Sequence, residues 1–221
     1  MDVVYPVASR PRSGSATDEL RFSLRSLAHI PHDRVFIAGW KPEWVKNVTH
    51  VGTVQSKGRW ENAFRNMKAV LDQVSEEFVL MNDDFFIMEP FDRIPVLHRG
   101  PMGTVGQNSS YQKARANVYR IAQTIGVEEP LSYELHVPFV YDRDLLKETL
   151  GHLNGESVAG FQRSLYGNWN RIGGEYMADC KVTSNRPVPD VPFLSTSDAS
   201  FRGGKIGKLI RERFPEPSPY E

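Results

Sequence analysis

A single cysteine, Cys180, occurs among the 221 residues. That excludes an internal disulfide framework and any zinc site built on several thiolates, and no disulfide-linked partner is expected. No basic leader opens the chain and no apolar run is long enough for a membrane helix. Neither a signal peptide nor a membrane span is therefore expected, and the expected address is a reducing cytoplasm. Net charge is missing too: 27 Lys and Arg balance 27 Asp and Glu. Bulk attraction to nucleic acid or an anionic membrane is not implied, which leaves only local patches. The glycine-rich fingerprints GxGxxG and GxxxxGK[ST] are absent, as is the GxSxG elbow. Neither a dinucleotide fingerprint, a P-loop nor a hydrolase nucleophile is indicated. What is there is globular: 40% hydrophobic and 24% charged residues, without repeats or low-complexity tracts. A chain of this length can bury about 70% of its unfolded surface, enough for one full core, so a single domain over residues 1–221 is expected.

The first 90 residues alternate between the two regular structures. Val3-Val4-Tyr5 with Val7 reads as a buried strand, ended or placed near an edge by Pro6. Ser9 to Ala16 reads as a loop. Ser15 and Asp18 form a candidate capping box for a helix whose Leu20, Leu24, Leu27 and Ala28 recur at helical spacing until Pro31. Val35 to Gly39 and Val48 to Val54 read as further strands. Trp60, Ala63, Phe64, Met67, Val70, Leu71 and Val74 mark the clearest amphipathic helix, and Phe78 to Met81 a central strand. This order predicts an α/β sandwich with a largely parallel sheet flanked by helices. Beyond it, His98 to Ser110 reads as a long loop, 111–125 as a helix, Tyr133 to Tyr141 as a strand and Arg143 to Leu150 as a short helix. Arg163 to Gly174 reads as polar and turn-rich, Arg186 to Ser197 as a proline-containing loop, and Arg202 to Arg213 as a basic final helix.

The strongest local signal is Asn82-Asp83-Asp84, directly after the central strand. Ionised carboxylates there cost several kcal/mol unless paired or metal-bound, and open parallel sheets bind ligands at the carboxyl ends of their strands. Alternation puts Asn82 and Asp84 on one side and Asp83 on the other. Asp84 then suits a divalent ion, Mg²⁺ or Mn²⁺, on a diphosphate, and Asp83 a ribose hydroxyl or a Lys or Arg anchor. The competing reading is a turn with Asp83 salt-bridged to the core. Arg21 and Arg25, one helical turn apart, suit a shared phosphate, or else an ordinary solvated face. Glu134, His136 and Pro138 alternate onto one side, with His136 a candidate general base or a hydrogen-bonded core residue. Asp198, after Ser195-Thr196-Ser197, suits an acceptor hydroxyl or a helix start. Arg163, Tyr166, Trp169 and Arg171 interleave charge and rings, and Arg202, Lys205, Lys208, Arg211 and Arg213 form a basic cluster. Both patterns suit nucleic acid, or a solvated surface.

Three stretches resemble the conserved blocks of the Stealth family of sugar-phosphate transferases: Asp2 to Tyr5, Asp18 to Leu27, and Phe78 to Phe86. Arg34 to Gly39, Phe78 to Met88 and Val96 to Pro101 are similar to short bacteriophage enzymes, the TET-associated glycosyltransferases, associated with adding sugar to oxidised methylcytosine in phage DNA. The similarity covers about the first 105 residues, with weaker matches at His136-Val137-Pro138 and Ser197-Asp198. The chain departs from the Stealth pattern at Pro6 to Arg10, where that family has a Thr-Trp-Val-Asn run, which favours simple glycosyl transfer. The resemblance implies a GT-A-like fold, a nucleotide-sugar donor, a divalent metal and a cytoplasmic address, that of the host if phage-encoded. It implies a donor-binding half over 1–105 and an acceptor-binding half over 106–221. It makes Asn82, Asp83 and Asp84 the donor and metal site and Asp2 and Tyr5 candidates for the nucleoside pocket. It adds Asn62 and Arg65 as donor contacts; in the glycosyltransferase reading Arg21 and Arg25 then serve as charge stabilisers and His136 or Asp198 as base. DNA is the acceptor it implies, and the interleaved and clustered residues Arg163, Tyr166, Trp169, Arg171, Lys205, Lys208 and Arg211 are the sequence's own candidates to hold it. The alternatives are a Stealth-type sugar-1-phosphate transferase and a non-catalytic DNA- or glycan-binding protein.

Overall fold

The computed structural model describes residues 1–7, 18–55, 58–103, 109–153, 157–183 and 189–221. The expected loop from Ser9 to Ala16 and the Ser15 side of the capping box lie outside them. The main sheet joins β1 (Asp2–Val7), β2 (Val35–Gly39), β3 (Thr49–Val51), β4 (Glu77–Leu80) and β7 (Phe139–Asp142) in the order β3-β2-β1-β4-β7. The first four run parallel and β7 antiparallel to β4. The mixed, mostly parallel α/β architecture expected from the alternation is therefore present. Between these strands lie α1 (Asp18–Ser26) and α2 (Arg59–Ala69).

Side-chain alternation along β1 shows why both faces are covered. Val3, Tyr5 and Val7 pack with Leu20, Leu24 and Leu27 of α1 and the following turn. Val4 packs on the opposite face with Met67, Val70 and Leu71, brought by α2 and the turn after it. A strand buried on both faces needs a continuous apolar run rather than a polar alternation, and Val3-Val4-Tyr5 supplies it.

Short elements complete the chain: β5 (Phe85–Ile87), β6 (Leu97–His98), α3 (Ser110–Thr124), α4 (Arg143–Gly151), α5 (Gln162–Trp169), β8 (Glu175–Tyr176), β9 (Lys181–Val182), β10 (Phe193–Thr196), α6 (Asp198–Gly203) and α7 (Lys205–Arg213). A second sheet, β5-β10-β9, follows directly on the main one, because only Met81 to Asp84 separate β4 from β5. Phe86 and Leu194 of this sheet pack with Phe201, Ile206 and Ile210 of α6 and α7.

Several expectations are corrected. Only Phe139–Asp142 of the 133–141 stretch is strand. Tyr133 to Val137 nevertheless alternates, with Tyr133, Leu135 and Val137 buried and Glu134 and His136 partly exposed, while Pro138, expected on the side of Glu134 and His136, is buried. The turn-rich 163–174 stretch contains α5, buried along nearly its whole length, and the proline-rich 186–197 stretch contains β10. The basic final helix is two helices divided at Gly204.

Candidate functional site

Parallel pairing places the carboxyl ends of β1, β2 and β4 along one edge of the main sheet. Gly39 closes β2 at φ 106°, and a Cβ there would meet the Val7 carbonyl oxygen at 2.2 Å. The close approach admits Asn66 of α2, fully buried, whose amide donates to that same oxygen at 3.1 Å. The Asn66 Oδ1 in turn accepts from the Thr53 hydroxyl and, at 2.8 Å, from the Gln55 amide. Asn66 was not singled out in the sequence; its neighbours Asn62 and Arg65 were. Asn62 is buried, and Arg65 donates to the Val54 carbonyl at 2.6 Å. This part of α2 fastens the strand ends.

The turn after β4 carries the carboxylate pair, and their surroundings differ. Asp84 Oδ2 accepts from Lys181 Nζ at 2.7 Å and from the Ser195 hydroxyl at 3.3 Å. Its backbone carbonyl accepts from Thr196 N at 3.3 Å, so Asp84 is anchored to β9 and β10. The lysine anchor expected for Asp83 thus belongs to Asp84. Asp83 receives no hydrogen bond from another described residue. Burial, then the neighbouring charges of Asp84 and Asp198, hold its carboxyl well above the usual carboxylate range.

A third acid joins them. Glu19 of α1 is buried and accepts from the Thr196 hydroxyl. Burial pushes its carboxyl up to about 7, helped by the charges of Asp83, Asp84 and Asp198. Its position in the Asp18-Glu19-Leu20-Arg21 block was the available signal, but helical spacing puts it beside the leucines only once the start of α1 is known. Asp198 stands in the first turn of α6, 70% exposed and 4.0 Å from Arg202. Ser197 is the cap of that helix, so Asp198 contributes charge to the cluster from outside it.

Across the strand ends, His136 Nδ1 meets both Asp179 oxygens, at 2.9 and 3.0 Å. Arg99 approaches the same carboxylate at 3.6 Å. Burial alone would raise the Asp179 carboxyl, but the hydrogen bond to His136 and the charges of His136 and Arg99 hold it below its ordinary value. The His136 ring stands edge-on to Phe85, and together with Asn82, Glu134, Trp60 and Tyr111 it lines a cleft over the end of β4. An imidazole whose Nδ1 is fixed by a carboxylate and which faces a cleft is arranged as a general base. Asp179 lay in a stretch without periodicity and was not foreseen. Residues 179–181 join the two groups, since Asp179 holds His136 and Lys181 holds Asp84.

Other candidates are placed elsewhere. Asp2 lies at the amino end of β1, opposite to the strand-end site, 1% exposed. It accepts from Arg34 at 2.6 and 3.2 Å and from Ser75 N at 2.8 Å, so it closes the sheet. The Tyr5 phenol is fully buried and shares a hydrogen bond with Ser23 at 3.0 Å, which makes it core. Arg21 and Arg25 both bind the Glu221 carboxylate, at 2.6 and 2.7 Å, rather than facing the acidic turn. Arg163 is buried; its guanidinium donates to the Leu135 and Val137 carbonyls at 2.7 and 2.9 Å and lies near Phe85 and Phe139. The Tyr166 hydroxyl accepts from Asp142 N, Trp169 stacks on His152, and Arg171 donates to the Ile125 carbonyl. These four form no common basic surface, because α5 is an interior helix. On α7, Lys205 and Lys208 are exposed, Lys208 lying 3.6 Å from Glu212, while Arg211 donates to the Phe201 carbonyl.

The acidic turn can be tested for a divalent ion. Among the described residues no three His, Cys, Asp or Glu side chains converge to hold one by themselves. Asp83 is nevertheless an unpaired carboxylate in a cluster whose negative charge exceeds the one Lys181 ammonium within it. One or two carboxylates completed by substrate phosphates and water is the usual arrangement for Mg²⁺, and these residues fit that pattern.

No family model matches the chain, and no curated protein matches it. Among solved structures it is similar to the apo form of the glycosyltransferase GlyE of Streptococcus pneumoniae TIGR4, with a TM-score of 0.40 and 10% identity. The match covers 97% of this chain and 60% of that one, so the chain spans less than two thirds of the length of that protein. Among the described residues no helix is long and apolar enough to cross a membrane.

Proposed function

We propose that the chain is a glycosyltransferase that moves a sugar from a nucleotide-sugar to an acceptor hydroxyl. One observation carries the reading: residues 179–181 tie an acidic turn at the carboxyl end of a parallel strand to a carboxylate-fixed histidine facing the adjoining cleft. The first group suits a donor diphosphate and the second an acceptor proton. The motif resemblance of the first 105 residues supports the same chemistry. Asp83, with the anchored Asp84 beside it, would hold Mg²⁺ or Mn²⁺, which supplies charge neutralisation for the departing nucleoside diphosphate.

The protein groups divide the remaining work. Lys181 and Ser195 fix Asp84 and thereby the backbone of the turn. Asn66 and Gly39 hold the strand ends at the spacing over which a donor would lie. His136 takes the proton of the attacking hydroxyl on Nε2, while Asp179 fixes the ring through Nδ1 and stabilises the cation so formed. Asp179 is a positioning residue in this scheme.

The test is incubation with a panel of nucleotide-sugars, with and without Mn²⁺, and with hydroxymethylcytosine DNA or simple glycosides as acceptors. Release of nucleoside diphosphate and gain of a hexose mass on the acceptor are expected. Release of nucleoside monophosphate instead would establish sugar-phosphate transfer. No release from any donor, with the folded chain still binding DNA or a glycan, would establish a binding protein.

A further inference from the structure

Beside the His136 cleft lies a second cavity, of about 260 Å³, lined by Arg99, Tyr111, Arg115, Ser132, Glu134 and Phe161. Its wall has two arginines, a phenol and a serine, whereas the cleft is walled largely by rings and aliphatic groups. Tyr111 and Arg115 lie one turn apart on α3, so they share a helix face. Tyr111 is held by Trp60 at 5.1 Å and Phe161 at 4.5 Å between ring centres, which fixes its ring against the boundary of the two cavities. Arg115 has no hydrogen bond or ion pair with any described residue, and Arg99 only the long 3.6 Å approach to Asp179. Burial and then the Glu134 charge raise the Tyr111 phenol above its ordinary value, and the charges of Arg99, Arg115 and Arg59, whose guanidinium lies over Trp60, oppose that shift.

Two guanidinium groups with nearly unused donors in one concave, polar cavity make a receptor for a tetrahedral phosphate anion. Their planar forks match phosphate oxygens two at a time. Glu134 is the acid among the cavity's described lining residues, and Asp179 opposes Arg99 from outside it. Glu134 accepts from Ser164 N at 2.9 Å, and burial pushes its carboxyl up to about 7, which reduces its charge toward the cavity near neutral pH. Arg99 also contacts Asp179, so an anion on Arg99 would sit next to the pair that fixes His136.

We infer that Arg99, Arg115, Tyr111 and Ser132 form a binding pocket for a phosphate group, carried by the acceptor whose hydroxyl is presented to His136. The assignment of the phosphate to the acceptor rests on the reading of His136 as base; the pocket itself does not. The phosphate can be a monoester on a sugar or the diester of a nucleic-acid strand, since both offer at least two non-bridging anionic oxygens to a guanidinium fork.

The test is calorimetric titration of the full chain, without donor, using a hexose 6-phosphate, a deoxydinucleotide and their unphosphorylated counterparts. Phosphate-bearing probes are expected to bind and the counterparts not. Tighter binding of the hexose phosphate would name the monoester, and tighter binding of the dinucleotide the diester. Arg99→Gln and Arg115→Gln should each weaken binding about tenfold or more, the scale of one charge-assisted hydrogen bond. Arg115→Lys should recover part of it, because charge returns without the fork. Arg93→Gln should change nothing, because Arg93 pairs with Glu77 at the amino end of β4. Melting curves would check that each variant is folded. Affinity unchanged in the folded Arg115→Gln and Arg99→Gln proteins, or equal binding of the unphosphorylated probes, would overturn the pocket. Neither result bears on donor turnover, which is measured separately.

Discussion

Asp2 and Asp83 stand at opposite ends of the same parallel sheet, and their environments push them in opposite directions. Burial opposes the charge of both. At Asp2 the Arg34 guanidinium and the Ser75 amide outweigh burial, and the carboxyl lies below its ordinary value. At Asp83 no cation is spent on the carboxylate directly, and the acids around it add to the effect of burial. The amino edge therefore answers the buried charge of Asp2, whereas the carboxyl edge leaves that of Asp83 without a direct partner among the described residues. Folding gains nothing from the second arrangement, which is the one the proposed cation site would use.

The pH dependence of stability separates the two ends. A group lowered on folding, such as Asp2, contributes stability above its unfolded value and loses it as the pH falls through the folded one. A group raised on folding, such as Glu19 at about 7 or Asp83, contributes stability below its unfolded value and loses it as the pH rises toward neutrality. Asp83→Asn is the sharpest way to break the contrast. We expect turnover of the nucleotide-sugar to drop about a thousandfold, with a higher melting temperature than the parent at pH 8 and no gain at pH 4. Normal turnover in that variant would remove Asp83 from the site.

Asp179→Asn should lower kcat about a hundredfold and leave the donor KM unchanged, since the imidazole keeps its place in the sequence but loses its fixed orientation. Equal loss in KM would mean that Asp179 acts by shaping the donor site. Asp2→Ala, at the other edge, should cost about 2 kcal/mol in denaturant unfolding, because it leaves the Ser75 amide and Arg34 without their acceptor. Its folded fraction should turn over normally. Arg21→Ala is expected to have the smallest effect, a loss of about 0.5 kcal/mol, because Arg25 still holds Glu221. A larger fall in kcat than in stability would return Arg21 to the donor site.

The main sheet was legible because its strands are buried on both faces. Val3 to Val7, Val35 to Gly39 and Phe78 to Met81 announce themselves by continuous apolar residues. The second sheet was not, since β9 has two residues and β10 follows Pro189 and Pro192. Both take their shape from tertiary pairing, β10 with β5 and β9 with β10. The acidic turn was legible as a motif, yet the roles within it were not, because Lys181 lies 97 residues from Asp84. The same holds for Asp179, brought to His136 across 43 residues. Interleaved charge and rings at Arg163 to Arg171 misled in the other direction: composition alone does not tell a basic surface from an interior helix whose arginine serves carbonyl groups.

Cys180 sits between Asp179 and Lys181, buried, with its thiol donating to the His136 carbonyl at 3.2 Å. Burial, then the Asp179 charge, pushes the thiol up to about 12. Thiolate chemistry is closed to it while the segment is seated. The rate at which a maleimide or an iodoacetamide labels the native chain is therefore a clock for the lifting of residues 179–181. With no other cysteine to compete, unfractionated protein and a mass spectrometer suffice to read it. A ligand that seats the segment more firmly would slow that clock whether or not it is ever turned over.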